Sequence, residues 1–248
     1  MKLSSILVLA GRCRVDLLDA VFPPLCAVCD HEIPDPGAVI CGLCRASLVR
    51  VGRRGCRKCG AEPVPGSRPR PSRCRRCRDR GFAFSRAVAA TRYAGVVRDL
   101  VLAAKFRRRR EGLRVLAREL IGALRETGCH HRVSVVTSVP LHPTRRLLRG
   151  YDQAELLARQ VADGLDLPYL RGGLRRSSRT SPQAAAAPSL RAGRMAGAFR
   201  AGWRRRRFRG RSVLLVDDVM STGATVDAAA HALLEAGARC VFVGVGAT

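Results

Sequence analysis

The sequence predicts an α/β protein, a parallel sheet flanked by helices, preceded by a small cysteine-rich domain. Three observations carry this. Val213-Leu214-Leu215-Val216 is an unbroken branched apolar run, the pattern of a strand buried on both faces, and it ends in Asp217-Asp218. Residues 133–139 form a second β-branched run. Eight of the eleven cysteines fall into four Cys-x-x-Cys pairs in the first third of the chain. The expected division is a helix over residues 1–24, a double metal-binding ribbon over 25–82 and an α/β domain over 83–248.

At the N-terminus, residues 15–22 alternate faces as an amphipathic helix does and stop at Pro23-Pro24. Residues 3–10 imitate a short secretory segment, but Arg12 stands before Cys13, where a lipoprotein cleavage box has a small residue. A packed helix is therefore expected. No apolar run approaches the roughly 18 residues of a membrane span, so no span is expected.

The paired cysteines are Cys26/Cys29, Cys41/Cys44, Cys56/Cys59 and Cys74/Cys77, with 11, 11 and 14 residues between successive pairs. Two residues between cysteines let both thiolates face one ion, and two such knuckles complete a tetrahedral zinc site. Four knuckles make two structural zincs. Disulfides within so short a loop constrain little, and four repeats argue for structure over redox chemistry. Sequential and interleaved pairing of the knuckles both close. Cys13, Cys129 and Cys240 lie outside the pattern and are expected as buried small hydrophobes.

Residues 61–72, rich in Pro and Gly, read as an irregular insertion. Residues 85–93 then read as a strand, and 95–106 as a helix with Val97, Leu100, Val101 and Ala104 inside. A basic knot, Lys105-Phe106-Arg107-Arg108-Arg109-Arg110, closes that helix, and another is expected over 113–125. The strand at 133–139 leads into Pro140-Leu141-His142-Pro143-Thr144-Arg145-Arg146. Next, Arg149-Gly150-Tyr151-Asp152-Gln153-Ala154 opens a helix through Ala162, with Asp152 as its N-cap. From Arg175 to Arg200 periodicity is lost, which in a compact domain marks a functional segment.

After Asp217-Asp218 come Val219-Met220-Ser221-Thr222-Gly223-Ala224-Thr225, and residues 224–235 have helical spacing. The first turn of a helix directs free N–H groups and positive potential at one spot, a natural seat for phosphate. Gly223 permits close approach, and Ser221, Thr222 and Thr225 offer hydroxyls and an N-cap. Carboxylates beside that seat suit vicinal hydroxyls, so the corner suggests a sugar phosphate. A Walker B strand of an ATPase would need a Gly-Lys-Ser/Thr loop, and Lys2, Lys58 and Lys105 each lack a preceding glycine.

This run resembles the phosphoribosyl pyrophosphate (PRPP) signature of type I phosphoribosyltransferases at every position. The resemblance implies that Asp217 and Asp218 bind the ribose, and that Val219, Met220, Ser221, Thr222, Gly223, Ala224 and Thr225 bind the 5′-phosphate. It further implies that Arg145 and Arg146 grip pyrophosphate, that magnesium accompanies PRPP, and that the segment from Arg175 to Arg200 is a hood closing over it. With the cysteine knuckles, Lys105-Phe106, Pro140-Leu141-His142, Arg149 to Ala154, Thr180, Gln183 and Gly197-Ala198-Phe199, the chain resembles the ComF/GntX-like competence family. That family usually has asparagine where Asp152 and Arg194 stand and leucine at Ala186. The resemblance implies a cytoplasmic phosphoribosyltransferase-like protein that transfers or senses the phosphoribosyl group. Alternatively, it implies a non-catalytic PRPP-responsive protein that binds single-stranded DNA beside DNA-uptake machinery.

A formal charge of +27 favours a polyanionic partner. Only three of the 46 cationic residues are lysines, and Ala and Gly are abundant, a pattern GC-rich coding also produces. The excess clusters at Arg75-Arg76, Arg107 to Arg110 and Arg204 to Arg207, and single-stranded DNA is expected on arginines of the front domain and the Arg107 to Arg110 knot.

Overall fold

A computed structural model describes residues 24–35, 37–62, 74, 77, 81–176 and 197–248. The expected N-terminal helix, Cys13, most of the 61–72 insertion, Arg75-Arg76, and residues 177–196 of the segment read as a hood lie outside the described residues. By compactness the chain divides into two units, Met1–Ser47 and Leu48–Thr248.

The described part of the first unit is a knuckle fold around four sulfurs, with the short helix α1 (Gly42–Ala46) following Cys41. Asp30 takes φ 54, the left-handed turn that returns the chain beneath the first knuckle. Ile33 and Ile40 are its buried aliphatic residues, so there is little apolar core here.

The second unit is built on four parallel strands, β1 (Arg86–Thr91), β2 (Val135–Ser138), β5 (Ser212–Val219) and β6 (Cys240–Ala247), in the order β1-β6-β5-β2. Its helices are α2 (Gly95–Phe106), α3 (Gly112–Glu126), α4 (Pro143–Arg149), α5 (Gln153–Gly164) and α6 (Ala224–Glu235). Two three-residue strands, β3 (Leu174–Arg176) and β4 (Phe199–Ala201), pair antiparallel as a separate ribbon. The branched run Val213 to Val216 lies in β5 between β2 and β6 and is fully buried, as its lack of alternation requires.

Alternation along the strands sorts the two faces. Leu214 and Gly244 face Leu120 of α3. Val213, Leu215, Val243 and Val245 share the opposite core with Leu233 of α6, Phe208, and Cys56, Cys59 and Cys77. The second cysteine cluster is thus part of the sheet's hydrophobic core. Gly60, at φ +69, lies so close to β1 that a Cβ would stand 3.0 Å from the Ala89 nitrogen. Both sheet edges are covered. The Val51 N–H donates to Ala90 at one edge, and the Val136 N–H donates to Pro168 at the other, both by backbone bonds. Among the described residues no helix is long and apolar enough to cross a membrane.

Candidate functional site

The eight paired cysteines gather into two groups of four, Cys26, Cys29, Cys41 and Cys44, then Cys56, Cys59, Cys74 and Cys77. Pairing is sequential, which the spacing left open. A tetrahedron with metal–sulfur distances of about 2.3 Å has edges of about 3.8 Å. The sulfurs of Cys29 lie 3.7 Å from those of Cys41 and Cys44, and that of Cys74 lies 3.6 Å from Cys59 and 3.7 Å from Cys77. These separations fit one ion per cluster and are far too long for disulfides.

Backbone N–H groups turn toward the sulfurs, Cys41 N to Cys26 Sγ at 3.3 Å and Cys74 N to Cys56 Sγ at 3.2 Å. Burial alone would raise Cys26, but the N–H groups of Cys29, Cys41 and Val28 outweigh it and bring the thiol down to about 6. Cys56 comes down to about 7 by the same opposition, with Cys59, Cys74 and Lys58 donating. Cys44 and Cys77 are pushed up, first by burial and then by neighbouring sulfurs. Four sulfurs so crowded can all ionise only beside a cation.

A second site lies at the C-terminal end of β5, where an open parallel sheet presents its loops. A cleft of about 270 Å³ is lined there by Asp217, Asp218 and Thr225 on one side. Lys105, Arg145, Arg149, Asp152 and Arg176 supply its other charged groups. Gly223 takes φ +82 and is itself the N-cap of α6, with a Cβ there only 3.1 Å from the Phe82 ring. The expected hydroxyl cap is therefore absent, and Thr222 Oγ1 instead accepts from the Ala224 N–H at 3.4 Å. The N–H groups of Ser221, Thr222 and Gly223 donate to nothing among the described residues, so the turn offers three adjacent donors. Asp227, the acid in the first turn, is taken up by the Ala83 N–H at 2.6 Å.

Lys105, read only as the first residue of the basic knot that closes α2, was not assigned to the site. Its Nζ lies 2.6 Å from Asp218 Oδ2. The signal in the sequence was its rarity, since Lys105 is one of three lysines in an arginine-dominated chain and a lysine is a compact point charge. The segment after α4 holds it there. Tyr151 and Gln153 both donate to the Ala104 carbonyl, the latter at 3.4 Å, fixing the residue before Lys105. Asp152 caps α5 through the Glu155 N–H at 3.1 Å and accepts from the Leu141 N–H at 2.8 Å. Burial raises its carboxyl, with those two N–H groups opposing.

The two arginines expected at the pyrophosphate part company. Arg145 lines the cleft, whereas Arg146 reaches Glu155 at 3.3 Å, a carboxylate shared with Arg159 and Arg171. Arg149 lines the cleft without having been singled out, and so does Arg176, which belongs to the segment from Arg175 read as a hood. Arg176 leaves its Nε buried and unpartnered, and its basicity is lowered first by burial and then by Arg145, with Asp217 opposing. A desolvated guanidinium short of acceptors suits an anion. Of the remaining cysteines, Cys129 is buried as expected, while Cys240 is half-buried with its Sγ on Ser212 Oγ at 3.2 Å.

Residues 152–246 match the family model described as phosphoribosyl transferase domain, and residues 17–79 match that of the double zinc ribbon domain. The chain is 31% identical over 225 residues to DNA utilization protein YhgH of Escherichia coli (strain K12), covering 89% of this chain and 95% of the relative. It is 30% identical over 173 residues to competence protein F of Haemophilus influenzae, covering 68% and 76%. Among solved structures, glutamine PRPP amidotransferase from B. subtilis, complexed with ADP and GMP, aligns at a TM-score of 0.37 and 24% identity, over 54% of this chain and 26% of that one.

The Asp217 carboxyl is pushed well above the usual range, first by burial and then by the charge of Asp218, with the Asp218 N–H and Lys105 opposing. A carboxyl raised on folding costs stability above its unfolded value of about 4 and costs nothing below it. Asp217→Asn keeps an acceptor for the Asp218 N–H, 2.9 Å away, and removes the charge. Its unfolding temperature at pH 7 should exceed that of the wild type, and the difference should vanish as pH falls to about 4. Scanning calorimetry across that range checks this, and a variant less stable at pH 7 would refute it.

Proposed function

The chain belongs to the ComF/GntX-like family of competence and DNA-utilization proteins, and we propose that it binds magnesium-PRPP in the β5 cleft. The observation that carries the reading is the pairing of an acidic couple at the end of the central strand with unengaged N–H donors one turn later. Asp217 and Asp218 accept from the ribose hydroxyls, and the turn of Ser221, Thr222, Gly223, Ala224 and Thr225 receives the 5′-phosphate. Arg145, Arg149 and Arg176 receive the pyrophosphate. Lys105 exchanges Asp218 for a phosphate oxygen as the sugar enters.

The carboxylates of Asp217 and Asp218 are hard oxygen donors of the type magnesium takes, and the ion would supply charge neutralisation on pyrophosphate. In transfer, the C1′–oxygen bond breaks with its electron pair going to pyrophosphate. An incoming nucleophile forms the new C1′ bond and loses its proton. The arginines stabilise the charge that accumulates on the leaving group. The second reading, a PRPP-responsive protein that binds single-stranded DNA without transfer, draws support from the relatives' names and from Arg175, Arg205 and Arg206, which make no ion pair among the described residues. Release of pyrophosphate with nucleobase acceptors separates the two. Cytoplasmic residence and contact with DNA-uptake proteins belong to the same reading, since thiol-held zinc and PRPP both suit a reducing compartment.

Two experiments test the proposal. Asp217→Asn combined with Asp218→Asn should abolish PRPP binding in titration calorimetry while the chain stays folded, each lost charged hydrogen bond being worth about 1.5–3 kcal/mol. Unchanged affinity would exclude the assignment. Each cysteine cluster is proposed to hold one structural zinc, so metal analysis should find two ions per chain, and Cys59→Ser should retain one. Because Cys59 lies in the core beneath the sheet, amide exchange in β5 and β6 should quicken in that variant. Protein free of zinc with a fully protected sheet would contradict it.

A further inference from the structure

The chain's single tryptophan, Trp203, is 68% exposed. Its place is fixed from both sides. The Gly202 N–H donates to the Gly173 carbonyl at 2.8 Å, and a Cβ on Gly202 would stand 1.9 Å from the Gly172 carbonyl oxygen. The β3–β4 ribbon therefore closes backbone to backbone and turns the next side chain outward. Beyond it, the 3-10 turn Arg205–Phe208 is anchored by the fully buried Phe208. An indole held in water by rigid backbone on both sides forgoes the burial that a large apolar ring otherwise gains.

What surrounds it is cationic. The Arg204 guanidinium lies 4.3 Å from the ring centroid, and an open groove of about 400 Å³ joins Trp203 to Arg175, Arg205 and Arg206. Among the described residues no carboxylate lines the groove, and none of these four arginines forms an ion pair. Arg146, Arg159 and Arg171, by contrast, converge on Glu155. Arginine-rich coding accounts for many guanidiniums, but not for the placement of the one indole among them.

We propose that Trp203 with Arg175, Arg204, Arg205 and Arg206 forms a binding surface for single-stranded nucleic acid, in which a base stacks on the indole and guanidiniums take the flanking phosphates. Cationic grooves with exposed aromatic faces bind single strands in this way, without sequence preference. A duplex keeps its base faces stacked and offers none to the ring. A membrane surface would need further apolar groups, and none of the other exposed large hydrophobic residues lines this groove. The surface is distinct from the PRPP cleft, because Arg175 and Arg176 are successive residues of β3, one lining the groove and the other the cleft. The inference rests on the nucleic-acid reading and is independent of PRPP. It also moves the contact from the Arg107 to Arg110 knot, where Arg110 is stacked 4.3 Å over Tyr151.

Because Trp203 is the sole tryptophan, the emission of the full chain reports this surface alone. Oligothymidylate of about 16 nucleotides should quench that emission saturably. Salt should reverse the quench, with a log–log slope of roughly −0.7 per phosphate neutralised. Trp203→Ala should weaken binding of a labelled oligonucleotide, followed by anisotropy, by about 5- to 150-fold, the effect of one lost stacked base, and Trp203→Phe should restore most of it. PRPP titrations should be unchanged in both variants. Equal quenching by inorganic polyphosphate would overturn the stacking claim. Oligonucleotide binding that ignores Trp203→Ala would overturn the location while leaving the nucleic-acid reading standing. Absence of binding at low salt would overturn both.

Discussion

The carboxylate of Asp152 is the knot that ties the cleft together. One oxygen caps α5 and the other holds the Leu141 N–H, so the loop leaving β2 and the helix that follows it close around a single buried charge. Its neighbours extend the tie. Tyr151 and Gln153 bind the Ala104 carbonyl at the last turn of α2, which delivers Lys105 to Asp218. The loop leaving β2, the start of α5 and the distant end of α2 are therefore tied together through one tetrapeptide, Gly150 to Gln153. Gly150, at φ 76, ends α4 and starts that tetrapeptide, where a side chain would strain the backbone.

The cleft is also a balance of unlike charges. Three carboxylates and four cations line it, yet only Lys105 and Asp218 pair directly. Burial and the charge of Asp218 raise the Asp217 carboxyl, and Arg176 is desolvated beside Arg145. Such frustration is what a site retains when its charges await a ligand of mixed character. A sugar bearing phosphates at both ends supplies hydroxyl donors for the acids and oxyanions for the cations, and so resolves both at once.

Much of the fold was legible because its elements carry strong periodic signals. Residues 95–106 and 224–235 are helical at those limits, and the run at Val213 could only be a central strand. The ribbon β3–β4 was not legible, since three residues per strand are too few to display alternation. Sequential pairing of the knuckles emerged from distances, and nothing in cysteine spacing says that the second cluster packs beneath the sheet. Of the residues read as the site, Asp217, Asp218, Thr225 and Arg145 line the cleft, and they were named because their motifs are local in sequence. Lys105 and Arg176 reach the cleft from other elements, and Arg146 faces away from it, because helical position decides which of two adjacent arginines looks inward.

The central claim is that the cleft recognises a phosphorylated sugar as one object and does not simply collect anions. Titration calorimetry with PRPP, ribose 5-phosphate and pyrophosphate, each with magnesium, tests it most directly. The account predicts that PRPP binds more tightly than either fragment, because only PRPP engages the turn at Gly223, the two aspartates and the arginines together. Pyrophosphate binding as tightly as PRPP would show that the arginines act alone, and would contradict it.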